Sequence, residues 1–268
     1  MQNDPFESCR LKLGRAKVHC DTLENELRPW YKDDPCRIVK QYHPKTRRHV
    51  STLKFNTGKE PQLERWSLLS ADCIHNLRTA LDHLIFGVAI VKSGQDPPPF
   101  EDKIQFPIAD NSTKLGIAVE RYKLGFLLGT PVWTAIESVQ PEKRPNPIDA
   151  RIPPLLSLIR DFENRDKHRL LHLVTGQAHR ATIDELRLDT WINVSSLYIH
   201  FGSLKDGTEI LSFTTDAPTP DVKYTTALVL AICARFGDGP NEFVEVCTLN
   251  SGLVAEVSNV IDIIIKAI

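Results

Sequence analysis

The sequence predicts an α+β protein. A long antiparallel helical hairpin or bundle with a small basic β-hairpin forms the N-terminal part, and an antiparallel sheet plus a terminal helix forms the C-terminal part. Three observations lead there. Phe6, Cys9, Leu13, Ala16, Cys20, Leu23, Leu27 and Trp30 recur at alternating spacings of three and four, the narrow apolar seam of one helix packed on another. Trp66, Leu69, Cys73, Leu77, Ala80, Leu84 and Val88 carry a matching seam on a second helix over about 61–91. After Lys167 the texture turns to short apolar and β-branched runs broken by turn residues.

In chain order, the first helix starts near Phe6 and is expected to stop near Arg28, because Pro29 follows. CRIVKQY (36–42) and RHVSTLKF (48–55) flank the turn-forming HPKT and read as a β-hairpin. Pro61 suits the first turn of the second helix, and SGQDPPP ends it. Residues 92–112 form a proline-rich connection containing PPPF and FPI; shorter helices follow at about 112–125 and 131–139, and another opens at Pro153–Pro154. Strands are expected at 170–176, 196–202, 208–215 and 227–237, with KDG (205–207) turning between the second and third. Leu249 to Ile268 closes the chain as an amphipathic helix carrying Val254, Val257, Ile261 and Ile264 on one side. The natural division falls at 1–167 and 168–268, either as two parts or as one integrated domain.

The 268 residues are 41% apolar and 25% charged, average for a soluble globular protein, which excludes long disorder, collagen-like repeats and a disulfide miniprotein. Charge is balanced, 33 basic against 34 acidic, so no global polybasic character announces a partner. Locally the balance breaks: between Cys36 and Arg65 stand eight Lys or Arg and two Glu. The N-terminus lacks a charged start followed by an apolar run, and the longest uninterrupted apolar stretch is Leu84 to Val91, so neither a secretory signal nor a membrane span is expected. The six cysteines show no C-x-x-C pair and read as buried free thiols of a cytoplasmic protein. No phosphate loop, G-x-S-x-G elbow or H-E-x-x-H is present, and no cofactor is expected.

One polar constellation stands out. In DCIHNLRTALDH (Asp72 to His83), positions about 100° apart on a helical wheel separate an apolar face from one carrying Asp72, His75, Asn76, Thr79, Asp82 and His83, with Arg78 at the border. That face has neither Lys nor Glu, unlike an ordinary solvated face. Its residues suit directed hydrogen bonds or proton transfer. A second cluster, RDFENRDKHRLLH (Arg160 to His172), places Asp166 and Arg169 on the continuation of an apolar stripe, with His168 between them. Polar groups on such a stripe pair with each other or meet a polar partner inside the fold. The two clusters are therefore expected to meet.

HNLRTALDH followed by RDKHR resembles a widespread group of uncharacterised bacterial proteins carrying similar segments. Arg78-Thr-Ala-Leu-Asp-His83 also resembles the R-x4-6-H signature of HEPN domains, helical bundles of which many are metal-independent ribonucleases acting as dimers. The resemblance implies RNA as partner, a homodimer, Arg78 as the group that stabilises phosphate charge and His83 as acid/base. His75, Asp82, Asp166, His168 and Arg169 would complete such a site, and Arg37, Lys40, Lys45, Arg47 and Arg48 on the β-hairpin would guide the strand. Where that family often has Asn, Asp or His after the arginine, this chain has Thr79. Two other readings stand beside it. In one, the clusters form a buried polar network in a binding or structural protein without catalysis. In the other, His75, Asp82, His83 and His168 hold a metal ion, against the repulsion of Arg78 and Arg169.

Overall fold

A computed structural model describes residues 4–32, 36–56, 61–166, 171, 173–178, 183–187, 194–199, 206–218, 223–226, 230–237 and 242–268. Helix α1 (Glu7–Lys32) and helix α2 (Leu63–Ser93) lie side by side. They run antiparallel: Arg65 near the start of α2 donates to Glu26 near the end of α1, at 2.8 Å from Nε, while Gly87 sits against Pro5 and Phe6. The seams predicted from spacing face each other, with Leu23, Leu77 and Leu84 fully buried and Leu13 nearly so. The close approach of Phe6 explains Gly87, since a Cβ there would fall 2.5 Å from the Pro5 carbonyl oxygen.

α1 does not stop at Arg28. It continues through Pro29 to Lys32. Proline removes one backbone donor in the last turn, and the burial of Trp30 edge-on to Trp66 (6.0 Å between centroids) and beside Phe55 (6.5 Å) outweighs that loss. Helix α2 starts two residues after Pro61, with Gln62 as N-cap, and ends at Gly94 in the left-handed conformation.

Strands β1 (Cys36–His43) and β2 (Arg48–Phe55) form the expected hairpin. They do not stand apart from the C-terminal strands. β2 pairs with β6 (Glu209–Thr215), giving a four-stranded antiparallel sheet of order β1-β2-β6-β5, with β5 spanning Val194–Ile199. Its inner face buries Leu53, Phe55, Leu211 and Phe213 against the helices. The sheet expected mainly from 168–237 is thus divided. β3 (Leu173–Ala178), β8 (Leu230–Arg235) and β9 (Phe243–Glu245) form a second antiparallel sheet, and β4 (Ile183–Arg187) pairs with β7 (Lys223–Thr226).

Helices α4 (Pro131–Ser138) and α5 (Leu155–Asp166) lie where expected, whereas α3 (Ser112–Arg121) ends short of 125 because the chain turns at Lys123, φ +56°; the Asn111 and Thr130 side chains cap α3 and α4. Helix α6 (Val246–Lys266) packs against α1, α2, α5 and β8. By length and composition it could cross a membrane, but here its Leu249, Leu253, Val257, Val260 and Ile264 lie in the core shared with the N-terminal helices. Cys9, Cys20, Cys73, Cys233 and Cys247 are free thiols, and the first four are buried. Burial pushes the Cys9 thiol up to about 11 and Cys73 further still, which makes them poor nucleophiles.

Candidate functional site

The 104–110 segment, which contains the FPI run, threads through the core in an extended, irregular path, with Phe106 fully buried and Ile104 and Ala109 nearly so. Buried backbone outside helices and sheets must find hydrogen-bond partners elsewhere. Three side chains supply them. Asp82 accepts from the Phe106 N–H at 2.8 Å, and Arg78 Nη2 donates to the Phe106 carbonyl at 2.8 Å. Gln140, itself buried, accepts from the Ala109 N–H at 2.9 Å and donates to the Pro107 carbonyl at 3.1 Å. Arg78 and Asp82, one helical turn apart, close the latch with a bidentate pair, 2.6 Å and 3.2 Å. Burial pushes the Asp82 carboxyl up, while Arg78 and the Phe106 N–H oppose that shift. The segment ends on Asp110, which would be raised by burial but is held down at about 2 by hydrogen bonds from Lys114, Arg160 and Ser157.

A cleft of about 610 Å³ opens beside this latch, walled by α2, the 105–110 segment, α3 and α5. Arg78 and Asp82 line it from one side, Arg160, Glu163 and Asn164 from another. The two sequence segments therefore converge, and His75 Nδ1 lies 3.2 Å from Glu163 Oε1. The contact runs through Glu163, which the sequence pattern did not single out. His168 and Arg169 lie outside the described residues, as does the Asp166 side chain at the end of α5. Asn76 and Thr79 donate back to the Asp72 and His75 carbonyls of their own helix.

His83 is not among the residues that line the cleft with Arg78, and five positions on it projects about 140° around the helix from it. Burial and the charge of Lys12 on α1 hold its imidazole below its ordinary value, against the pull of Asp82. Its Nδ1 is buried with no hydrogen-bond partner among the described residues. Nor does any group of three His, Cys, Asp or Glu among the described residues converge as metal ligands would.

The β-hairpin is built differently. Arg37, Lys40, Lys45, Arg47 and Arg48 are all exposed. Arg48 donates to the Ser195 hydroxyl of β5 at 2.8 Å, whereas Arg37, Lys45 and Arg47 have no ion-pair partner among the described residues. Arg47 turns the chain at φ +54°. Tyr42 and His49, cross-strand neighbours, pack with ring centroids 4.8 Å apart and planes tilted by 35°, and Tyr42 is half exposed. Neither aromatic stands out in the sequence as a binding residue, although their pairing follows from the register once the HPKT turn is fixed. The chain matches no family model, no curated protein and no solved structure.

Proposed function

We propose that the protein is a binding protein for single-stranded RNA, which it engages on the β1–β2 hairpin without cleaving it. The observation that carries the reading is the Tyr42–His49 ring pair at the end of the hairpin, with Tyr42 half exposed, close in the chain to the exposed turn cations Lys45 and Arg47. A stacked aromatic surface accepts the flat face of an unpaired base, and cations around it track the phosphates. β1 is also a sheet edge, so one side of the hairpin has no neighbouring strand among the described residues.

The Arg78–Asp82 cluster has an architectural role in this reading. Two of the guanidinium nitrogens are occupied by Asp82 and the Phe106 carbonyl, and His83 is not among the residues lining the cleft beside them. That supports the network reading of the constellation over a catalytic one. RNA rather than DNA is the ligand that the HEPN resemblance implies.

Fluorescence polarisation with an end-labelled mixed-sequence RNA in EDTA tests the proposal. Wild-type protein is expected to bind at low salt and leave the RNA intact, more tightly than matched single-stranded DNA. Reversing Lys45 and Arg47 to Glu is expected to weaken binding about tenfold or more. Unchanged affinity in that variant would refute the hairpin assignment, and cutting abolished by His83→Ala would restore the nuclease reading.

A further inference from the structure

A second cavity, of about 430 Å³, lies between the last turn of α2, the 98–100 loop and the end of α3. Its walls are mainly apolar, with Pro99, Phe100, Val119 and Phe126 among them. Phe100 is 60% exposed and Phe126 46%, although both have apolar neighbours within the cavity. Lys92, Lys123 and Glu120 stand on its lining, and none of the three has an ion-pair partner among the described residues. Backbone geometry singles out the same place. Of the three non-glycine residues at positive φ among the described residues, two line this cavity: Phe100 at φ +62° and Lys123 at φ +56°. Such conformations cost energy and persist where the surroundings hold a side chain in a set place.

We infer that this cavity is a binding site for a small amphipathic carboxylate, an aliphatic or aromatic acid whose apolar body lies between Phe100 and Phe126 and whose carboxylate meets Lys92 and Lys123. The volume falls within the range of small-molecule sites, roughly 300–1,000 Å³, and the pattern of apolar walls with a few polar groups is theirs. The lining's net charge, two ammoniums against one carboxylate, favours an anion. At the helix ends nearby, the Gly94 and Tyr122 N–H groups cap the Ile90 and Ala118 carbonyls. The polar cleft beside Arg78 differs: Asp82 and Asp110 there are already paired to Arg78, Lys114 and Arg160.

Anilinonaphthalene sulfonate, an apolar fluorescent anion, serves as the probe. Saturable binding is expected, with decanoate displacing it and decanol, which has the same chain without the charge, displacing it about fivefold less well. Phe126→Asp is expected to weaken both ligands about tenfold, equivalent to about 1.4 kcal/mol. Lys123→Glu is expected to weaken decanoate while leaving decanol unchanged. Both positions are exposed, so circular dichroism and thermal melting should match wild type. Vesicles containing anionic lipid separate the two sources of the ligand: displacement of the probe by free decanoate but not by vesicles places the site on soluble acids. Unchanged probe affinity in both variants, equal displacement by decanol, or displacement by vesicles alone would overturn the assignment.

Discussion

Arg78 and Arg47 are the same residue type put to opposite uses. Arg78 lies in the α2 wall with its side chain 13% exposed, bound to Asp82 and to the Phe106 carbonyl. Arg47 stands on the hairpin tip, exposed. Around Arg78, charge satisfies a backbone that crosses the core without a sheet to pair with. Around Arg47, charge remains available to solvent and to ligands. A polar cluster that lacks lysine and glutamate therefore need not be catalytic, because an irregular buried loop asks for the same residue types as an active site does.

The largest effect should come from breaking the latch at its apolar end. Phe106→Ala removes a fully buried ring and is expected to cost about 3–5 kcal/mol in urea unfolding, with RNA affinity preserved in whatever fraction remains folded. Removing one charge, Arg78→Ala or Asp82→Ala, should cost about 3 kcal/mol, because the partner is left partly buried and unpaired. The double variant should cost clearly less than the sum of the singles. If the singles are additive and each lies within about 0.5 kcal/mol of wild type, the latch is not structural.

The hairpin sharpens the contrast from the other side. Reversing Lys45 and Arg47 should leave the free energy of unfolding within about 0.5 kcal/mol of wild type. It should also make the dependence of log affinity on log salt shallower, by about 0.7 for each phosphate that is no longer neutralised. A stability loss as large as that of Arg78→Ala would erase the distinction between the two regions.

Acid should expose the smallest difference. His83 is held below its ordinary value, so the unfolded chain binds its proton first, and stability is lost as the pH falls through and below about 6.5. Asp110, held at about 2, contributes stability that is present above about 4 and is lost as the pH falls toward 2. His83→Gln should flatten the upper limb of the pH–stability curve and Asp110→Asn the lower one. Because Asp110 is about a third exposed, its limb should be shallow.

The helical pairing was legible because it is periodic: the α1 and α2 seams announce both helices and their shared face. The β1–β2 hairpin was legible because its turn is local. That β2 would pair with β6 was not, since the partners lie some 160 residues apart, as the Thr52–Ser212 hydroxyl contact shows, and nothing in either strand encodes the other. β4 and β7 were missed for another reason. IDELR carries more charged residues than apolar ones, and KYTT is only four residues long. In the latch, Arg78 and Asp82 were visible as unusual residues on a helix face. Their partner was not, because it is the peptide backbone of Phe106, and a backbone group has no sequence signature. Gln140, which does the same for Pro107 and Ala109, looks like any loop glutamine until the fold brings it there.

The charges of α2 hold the fold, and those of the hairpin are the ones proposed to hold RNA. The RNA affinity of Arg78→Gln, measured by fluorescence polarisation below its melting temperature, tests this most directly. The expected dissociation constant lies within about twofold of wild type, alongside a lowered unfolding midpoint. A variant that keeps the wild-type melting temperature but loses RNA binding would contradict it.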